Sequence, residues 1–159
     1  KAHGAFVIVT GTSIDVKRLE QAKNLGADIT VDITKEDLLT IVKKHSHKGR
    51  GADVIVECSG NWHAIGTGIE ATKKQGQFVQ IGLPGKPFEL NFERICYKEL
   101  KVTGALGSTW SAWVNTIRLL ETGQLNLKAL ATHHYKLEDW EKAFAAFEEK
   151  AGLKVIFTP

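Results

Sequence analysis

Ala52-Asp53-Val54-Ile55-Val56-Glu57-Cys58-Ser59-Gly60-Asn61-Trp62 decides the fold. Ala52–Glu57 is a short run rich in Val and Ile, which reads as a strand. Ser59-Gly60 punctuates it, and Asn61 is a helix N-cap for a periodic stretch over Trp62–Lys74. A second apolar run follows at Gln77–Ile81. Strand, tight turn, helix and strand make a βαβ unit with parallel strands. Outward from it, Phe6–Val9, Asp28–Val31 and Lys101–Ala105 have the same character. The five runs recur about every 24 residues, the pitch of βα units. Helical periodicity fills the gaps at Asp15–Leu25, with Asp15 as cap and Gly26 as stop, at Lys35–Lys44 after Thr34, and at Asn91–Lys98. The expectation is an α/β, doubly wound parallel sheet whose strands are buried on both faces.

Both ends depart from this pattern. Lys1–Ala5 reads as the last turn of a helix stopped by Gly4, and no Met occurs anywhere. The strand and glycine-rich turn that open such a sheet are not in the sequence. The expectation is the C-terminal part of a larger nucleotide-binding enzyme, inactive and poorly folded alone, because neighbours of a central strand would keep unpaired backbone groups. After the fifth run come a helix at Ser111–Thr122 closed by Gly123, a looser stretch Gln124–Lys128, a strand Ala131–Tyr135, a helix Leu137–Lys150 and a strand Leu153–Phe157. Trp140, Ala143, Phe144 and Phe147 share one helical face and read as core.

Bulk properties exclude several classes. The 159 residues are 43% hydrophobic and 25% charged, ordinary for a globular protein. A net charge of +3 without basic residues interleaved with aromatics gives no case for nucleic acid. Lys43–Arg50 reads as a solvated helix end. Cys58 and Cys96 have neither metal-ligand nor disulfide spacing, which fits a reduced, cytoplasmic protein, and no apolar run is long enough for a membrane span. His133 and His134 point to opposite faces of a strand, so they do not share a metal.

In an open parallel sheet, ligands bind at the carboxyl ends of the strands. Gly11-Thr12-Ser13 ends the first run, with Lys17-Arg18 just beyond. Hydroxyls and cations would welcome a 2′-phosphate, which favours NADP, while Asp15 in the same loop leaves NAD open. After the third run, Gly60 lets a backbone approach a ligand, Cys58 reads as buried and structural, and Glu57 needs a partner. Gly82 after the fourth run repeats the glycine signal, and Gly104–Ser108 after the fifth leaves room for a carboxamide.

Taken in order, these residues resemble the medium-chain zinc-dependent alcohol and polyol dehydrogenases, nearest the sorbitol and threonine dehydrogenase branch. The resemblance runs the whole length. It is carried by Arg18-Leu19, Leu25-Gly26-Ala27-Asp28, Gly51-Ala52-Asp53-Val54, Glu57-Cys58-Ser59-Gly60, Gly76–Pro84, Lys98–Gly104, Thr132–Asp139 and Gly152–Val155. It implies a Rossmann coenzyme domain over residues 1–125 without its first strand, and a C-terminal segment of the catalytic, GroES-like domain over 126–159. The adenosine half of the cofactor would lie near Gly11, Thr12, Ser13 and Arg18, with Cys58, Ser59 and Gly60 close by. Ile81, Gly82, Leu83, Ala105, Leu106 and Gly107 would hold the nicotinamide half, and Lys154 would approach the pyrophosphate. The catalytic residues and zinc ligands would lie outside this sequence.

The implied function is hydride transfer between a secondary alcohol, such as a polyol or amino alcohol, and NAD(P), zinc-assisted in the intact enzyme. Alternatives are a non-catalytic nucleotide-binding module, a methyltransferase, whose acid after the second strand Gly11 does not supply, and a zinc-free quinone-reductase type. Implied partners are a small alcohol or ketone and further copies of the chain, paired through the edge strand Lys101–Ala105, with no nucleic acid and no membrane.

Overall fold

A computed structural model describes all 159 residues. They form two compact units, one of residues 1–36 with 109–159, the other of residues 37–108. Every strand pairing is parallel.

The first unit opens with a tight turn, Gly4 N–H to Lys1 O at 2.7 Å, with Gly4 at φ +76°. Strand β1 (Ile8–Gly11) pairs with β2 (Ile29–Asp32) from Ile8↔Ile29 to Gly11↔Asp32. β1 starts two residues later than its apolar run, because the Asp28 carboxylate takes the Val7 N–H at 2.7 Å ahead of the ladder. Helix α1 (Val16–Asn24) joins the two strands. Asp15 does not cap it. A 3₁₀ turn over Ser13–Asp15 precedes α1, and the Asp15 side chain reaches back to Thr12. α1 stops where Gly26 enters the left-handed region at φ +96°, with Gly26 N–H on Lys23 O and Ala27 N–H on Ala22 O. Helix α5 (Trp110–Glu121) ends the same way at Gly123. Strand β6 (Ala131–Lys136), helix α6 (Trp140–Glu148) and strand β7 (Lys154–Thr158) complete the unit, with β6 parallel to β7. The aromatic face of α6 is a correction. Trp140, Phe144 and Phe147 are all more than half exposed, and only Ala143 and Ala146 are buried. Helical spacing places residues on one face without saying which face is covered.

The second unit is a three-stranded sheet in the order β3 (Ala52–Glu57), β4 (Thr72–Gln80), β5 (Lys101–Gly104). Helix α2 (Leu38–His45) begins later than its periodicity suggested. Asp37 caps it by accepting Thr40 N–H at 2.9 Å, while Thr34 is engaged with Asp32. Helix α3 (Trp62–Ala71) is capped by Asn61 as read from the sequence, through His63 N–H at 2.9 Å and Ala64 N–H at 3.3 Å. α3 gives way directly to β4 at buried Thr72, whose hydroxyl donates to Gly68 O. The short helix α4 (Glu93–Tyr97) precedes Lys98, whose ammonium donates to Ile69 O, Glu70 O and Thr72 O at 2.7–3.1 Å. Those are the open carbonyls at the end of α3, where a cation suits the helix dipole.

Phe78, Ile65 and Ile69 form this unit's core, flanked by Ile55, Phe88, Leu90, Ile95 and Leu100. Val54 and Val56 lie more than half exposed. The expected burial of β3 on both faces is therefore corrected. Ile55 alternates with them and packs on the core, whereas a continuous apolar run records no facing. No helix is long and apolar enough to cross a membrane.

Candidate functional site

In the second unit, the carboxyl ends of β3 and β4 are joined by one side chain. Glu57 ends β3 in register with Gln80 on β4 and is 6% exposed. Its carboxylate accepts from the Ser59 hydroxyl, the Ser59 N–H at 2.8 Å, the Gly60 N–H at 3.0 Å and the Gln80 amide at 2.6 Å. Burial would raise its pKa. The Ser59 hydroxyl, the Gly60 and Ser59 amides and Gln80 outweigh burial and hold the acid below the ordinary glutamate range. Gln80 donates also to Gly82 O at 2.7 Å, and Glu57 O accepts the Ile81 and Gly82 N–H groups at 2.8 and 3.0 Å.

The glycines here serve the protein itself. A Cβ on Gly82 would fall 2.1 Å from Gly60 N, and one on Gly60, at φ +68°, would fall 2.4 Å from Leu83 O. The two loops interlock backbone to backbone, which by itself requires glycine at both positions.

Ile81, Leu83 and Leu106 are left exposed, Leu106 at 86%. The N–H groups of Leu83, Leu106 and Gly107 make no hydrogen bond within the protein, while Ala105 N–H is tied to Gln80 O at 3.0 Å. Exposed apolar side chains beside open main-chain donors fit a flat ring bearing a carboxamide. A cavity of about 420 Å³ adjoins the loops, lined by Gly60, Trp62, Pro84, Lys86, Phe88 and Glu89 among others. Cys58 is exposed rather than buried. Desolvation of its sulfur, then the Glu57 charge, raise its pKa, so it is not an activated nucleophile.

In the first unit, the ends of β1 and β2 carry carboxylates. Thr12 gives its hydroxyl to Asp15 at 2.7 Å. Ser13 gives its hydroxyl to Asp32 at 2.7 Å and lies 2.6 Å from the Thr34 hydroxyl, which also bonds Asp32. The Thr12 hydroxyl is the main reason that Asp15 stays ionised below its ordinary range, and for Asp32 it is Thr34, then Lys35 and Ser13. Arg18 faces Asp15 at 3.6 Å and Gly152 O at 3.4 Å, and its Nε is buried without a partner. The hydroxyls expected to greet a phosphate are thus turned onto acids. Lys154 opens β7 and is exposed.

A model of the zinc-binding dehydrogenases matches residues 1–122. The chain belongs to that family. It is 39% identical to a sorbitol dehydrogenase of Halalkalibacterium halodurans over 100% of the chain and 46% of that protein. It is 35% identical to an L-threonine 3-dehydrogenase of Pyrococcus abyssi over 99% of the chain and 45% of that protein. Among solved structures, the 2R,3R-butanediol dehydrogenase of Bacillus subtilis superposes with a TM-score of 0.87 at 28% identity, over 99% of the chain and 45% of that protein. The chain spans about half the length of the relatives it matches.

The family's name implies zinc, but this zinc-binding dehydrogenase chain does not fit one. No group of three or more His, Cys, Asp or Glu side chains is placed to hold a metal ion. Two residues at these strand ends are not evident from the sequence, Gln80 and Asp32. The signal for Gln80 was a polar residue ending one strand beside an acid ending its neighbour. For Asp32 it was an acid ending β2, followed two residues later by a hydroxyl.

Because Glu57 is more acidic folded than unfolded, its contribution is present above the ordinary value of 4.5 and lost as pH falls through the lower folded-state value. Melting temperature should drop on acidification from about pH 5 to about pH 3, and should drop less in E57Q. Parallel curves for the two proteins in thermal denaturation would contradict this.

Proposed function

We propose that this chain is part of an oxidoreductase that moves hydride between a secondary alcohol, a polyol or an amino alcohol, and NAD(P). Similarity to a sorbitol dehydrogenase over the whole chain carries the reading. Residues 1–125 act as coenzyme domain and 126–159 as a segment of the catalytic domain. The nicotinamide ring, when bound, takes or gives the hydride. The chain's own part is to bind and orient. Ile81, Leu83 and Leu106 cover the ring and exclude water, and the open N–H groups of Leu83, Leu106 and Gly107 take its carboxamide. Gly82, Ala105, Cys58, Ser59 and Gly60 shape the backbone around those contacts. Gly11, Thr12, Ser13 and Arg18 take the adenosine half, and Lys154 the pyrophosphate. Any zinc that assists the transfer would be held by the part of the enzyme that this chain does not span.

The NADP preference expected from Thr12 and Ser13 gives way to NAD in this reading. Asp15 and Asp32 occupy those hydroxyls and would repel a 2′-phosphate, whereas a ribose diol can donate to a carboxylate. NADH should bind at least about tenfold more tightly than NADPH in a fluorescence titration. Tighter NADPH binding would reverse the assignment. β5 has one neighbour and four exposed residues, which supports pairing of two copies through this edge.

The deciding experiment is polyol and L-threonine oxidation with NAD by the intact enzyme that contains this chain, before and after metal removal. Turnover abolished by chelation and restored by zinc supports the reading. Turnover that survives chelation favours the quinone-reductase type, and cofactor binding without turnover favours a non-catalytic module.

A further inference from the structure

We propose that Glu57 is a positioning residue for the cofactor's nicotinamide half, acting through Gln80 on the loop Ile81–Leu83. The proposal rests on the NAD(P) reading above. Glu57 is buried and charged, and every donor it holds belongs to a strand-end loop or to the residue that aims one. On one side it gathers the Ser59 and Gly60 amides, which fixes the turn after β3. On the other it orients the Gln80 amide, whose Nε2 then holds Gly82 O at 2.7 Å. Its main-chain oxygen takes the Ile81 and Gly82 N–H groups. Glu57 therefore aims the backbone around residues 81–83 both through its carboxylate, by way of Gln80, and through its main-chain oxygen.

A structural acid would need only to satisfy its own burial. Glu57 does more, because Gln80 is shared. Nε2 lies 2.6 Å from Glu57 Oε2 and 2.7 Å from Gly82 O. A glutamine at position 57 cannot accept at both oxygens. Its amide nitrogen would stand either in the place of Oε2, against Gln80 Nε2 and the Gly60 N–H, or in the place of Oε1, against the Ser59 N–H, donor against donor in both. In the first placement the Gln80 amide loses its fixed direction and Gly82 O its partner, and in the second the turn after β3 is released.

The test compares NADH with ADP-ribose, which lacks the nicotinamide, on wild type, Glu57→Gln and Gln80→Ala. Gln80→Ala leaves Glu57 its Ser59 and Gly60 donors, so it reads the positioning arm where E57Q folds poorly. NADH binding should weaken about tenfold in either variant, and ADP-ribose binding less than about threefold. The double variant should lose little more than the worse single one, since both act through one contact. In hydrogen exchange, the Ile81 and Gly82 amides should open faster while the β4 amides stay protected. Equal losses for NADH and ADP-ribose, or unchanged NADH binding in folded variants, overturn the positioning role. A wild-type protein that binds ADP-ribose and NADPH but not NADH overturns the NAD assignment instead. Failure to bind any of the three overturns the cofactor reading together with this proposal.

Discussion

Gly82→Ala will unfold the second unit or open it at the carboxyl ends of β3 and β4. The added Cβ would sit 2.1 Å from Gly60 N, and 2.8 Å from both Cys58 C and Glu57 Oε2. None of these can step aside cheaply. Two are main chain, and the third belongs to a carboxylate held by Ser59, Gly60 and Gln80. The loops must separate, which breaks the Gly82 N–H bond to Glu57 O and strips donors from a buried charge. The expected cost is about 3 kcal/mol or more, from overpacking plus an undersatisfied buried acid. Urea denaturation measures it, and NADH binding should vanish with it. Gly66→Ala is the control, because nothing lies within 4 Å of a Cβ there and the site is inside α3. That change should stabilise by about 1 kcal/mol. A Gly82→Ala protein as stable as wild type would mean that the loops do not interlock.

Phe78→Ala carries the other large effect. Phe78 is 2% exposed and joins Ile65 and Ile69 of α3 in the core. α3 lies so close that a Cβ on Gly68 would come within 2.9 Å of the ring. Neither the β4 ladder nor the helix backbone can collapse into the space that the ring vacates. The expected loss is about 3–5 kcal/mol, seen in urea denaturation. Phe78→Leu, which keeps most of the volume, should lose clearly less. A loss under about 1 kcal/mol for the alanine variant would move the core elsewhere.

Much of the fold is legible in the chain because its signals are local. Asn61 caps α3, Gly26 and Gly123 stop α1 and α5, and Ala52–Glu57 is a strand to the residue. These are decided within a few residues by backbone sterics and side-chain reach. The misplaced boundaries also have local causes, but competing ones. Asp37 and Thr34 are both capable caps, and Thr34 is drawn off by Asp32, two residues before it. The exposed Trp140, Phe144 and Phe147 mark another boundary of sequence reasoning, since periodicity fixes a common face and not its neighbour.

What the sequence by itself determined is the order of strands and helices, the parallel α/β class, the glycine-marked strand ends and the family to which they belong. These follow from hydrophobic period, turn chemistry and residue spacing. Only the tertiary structure decided which groups these residues bond and pack against. Thr12 and Ser13 look open to a phosphate until Asp15 and Asp32 are seen to hold them. Gly60 and Gly82 are glycines in the sequence, and only the structure sets each against the other's loop. Glu57 lacked a partner in the sequence because Gln80 lies 23 residues away and is brought to 2.6 Å only by strand register. Hydrogen-bond partners and close backbone approaches are set by distance in space, and strand pairing makes distant residues neighbours.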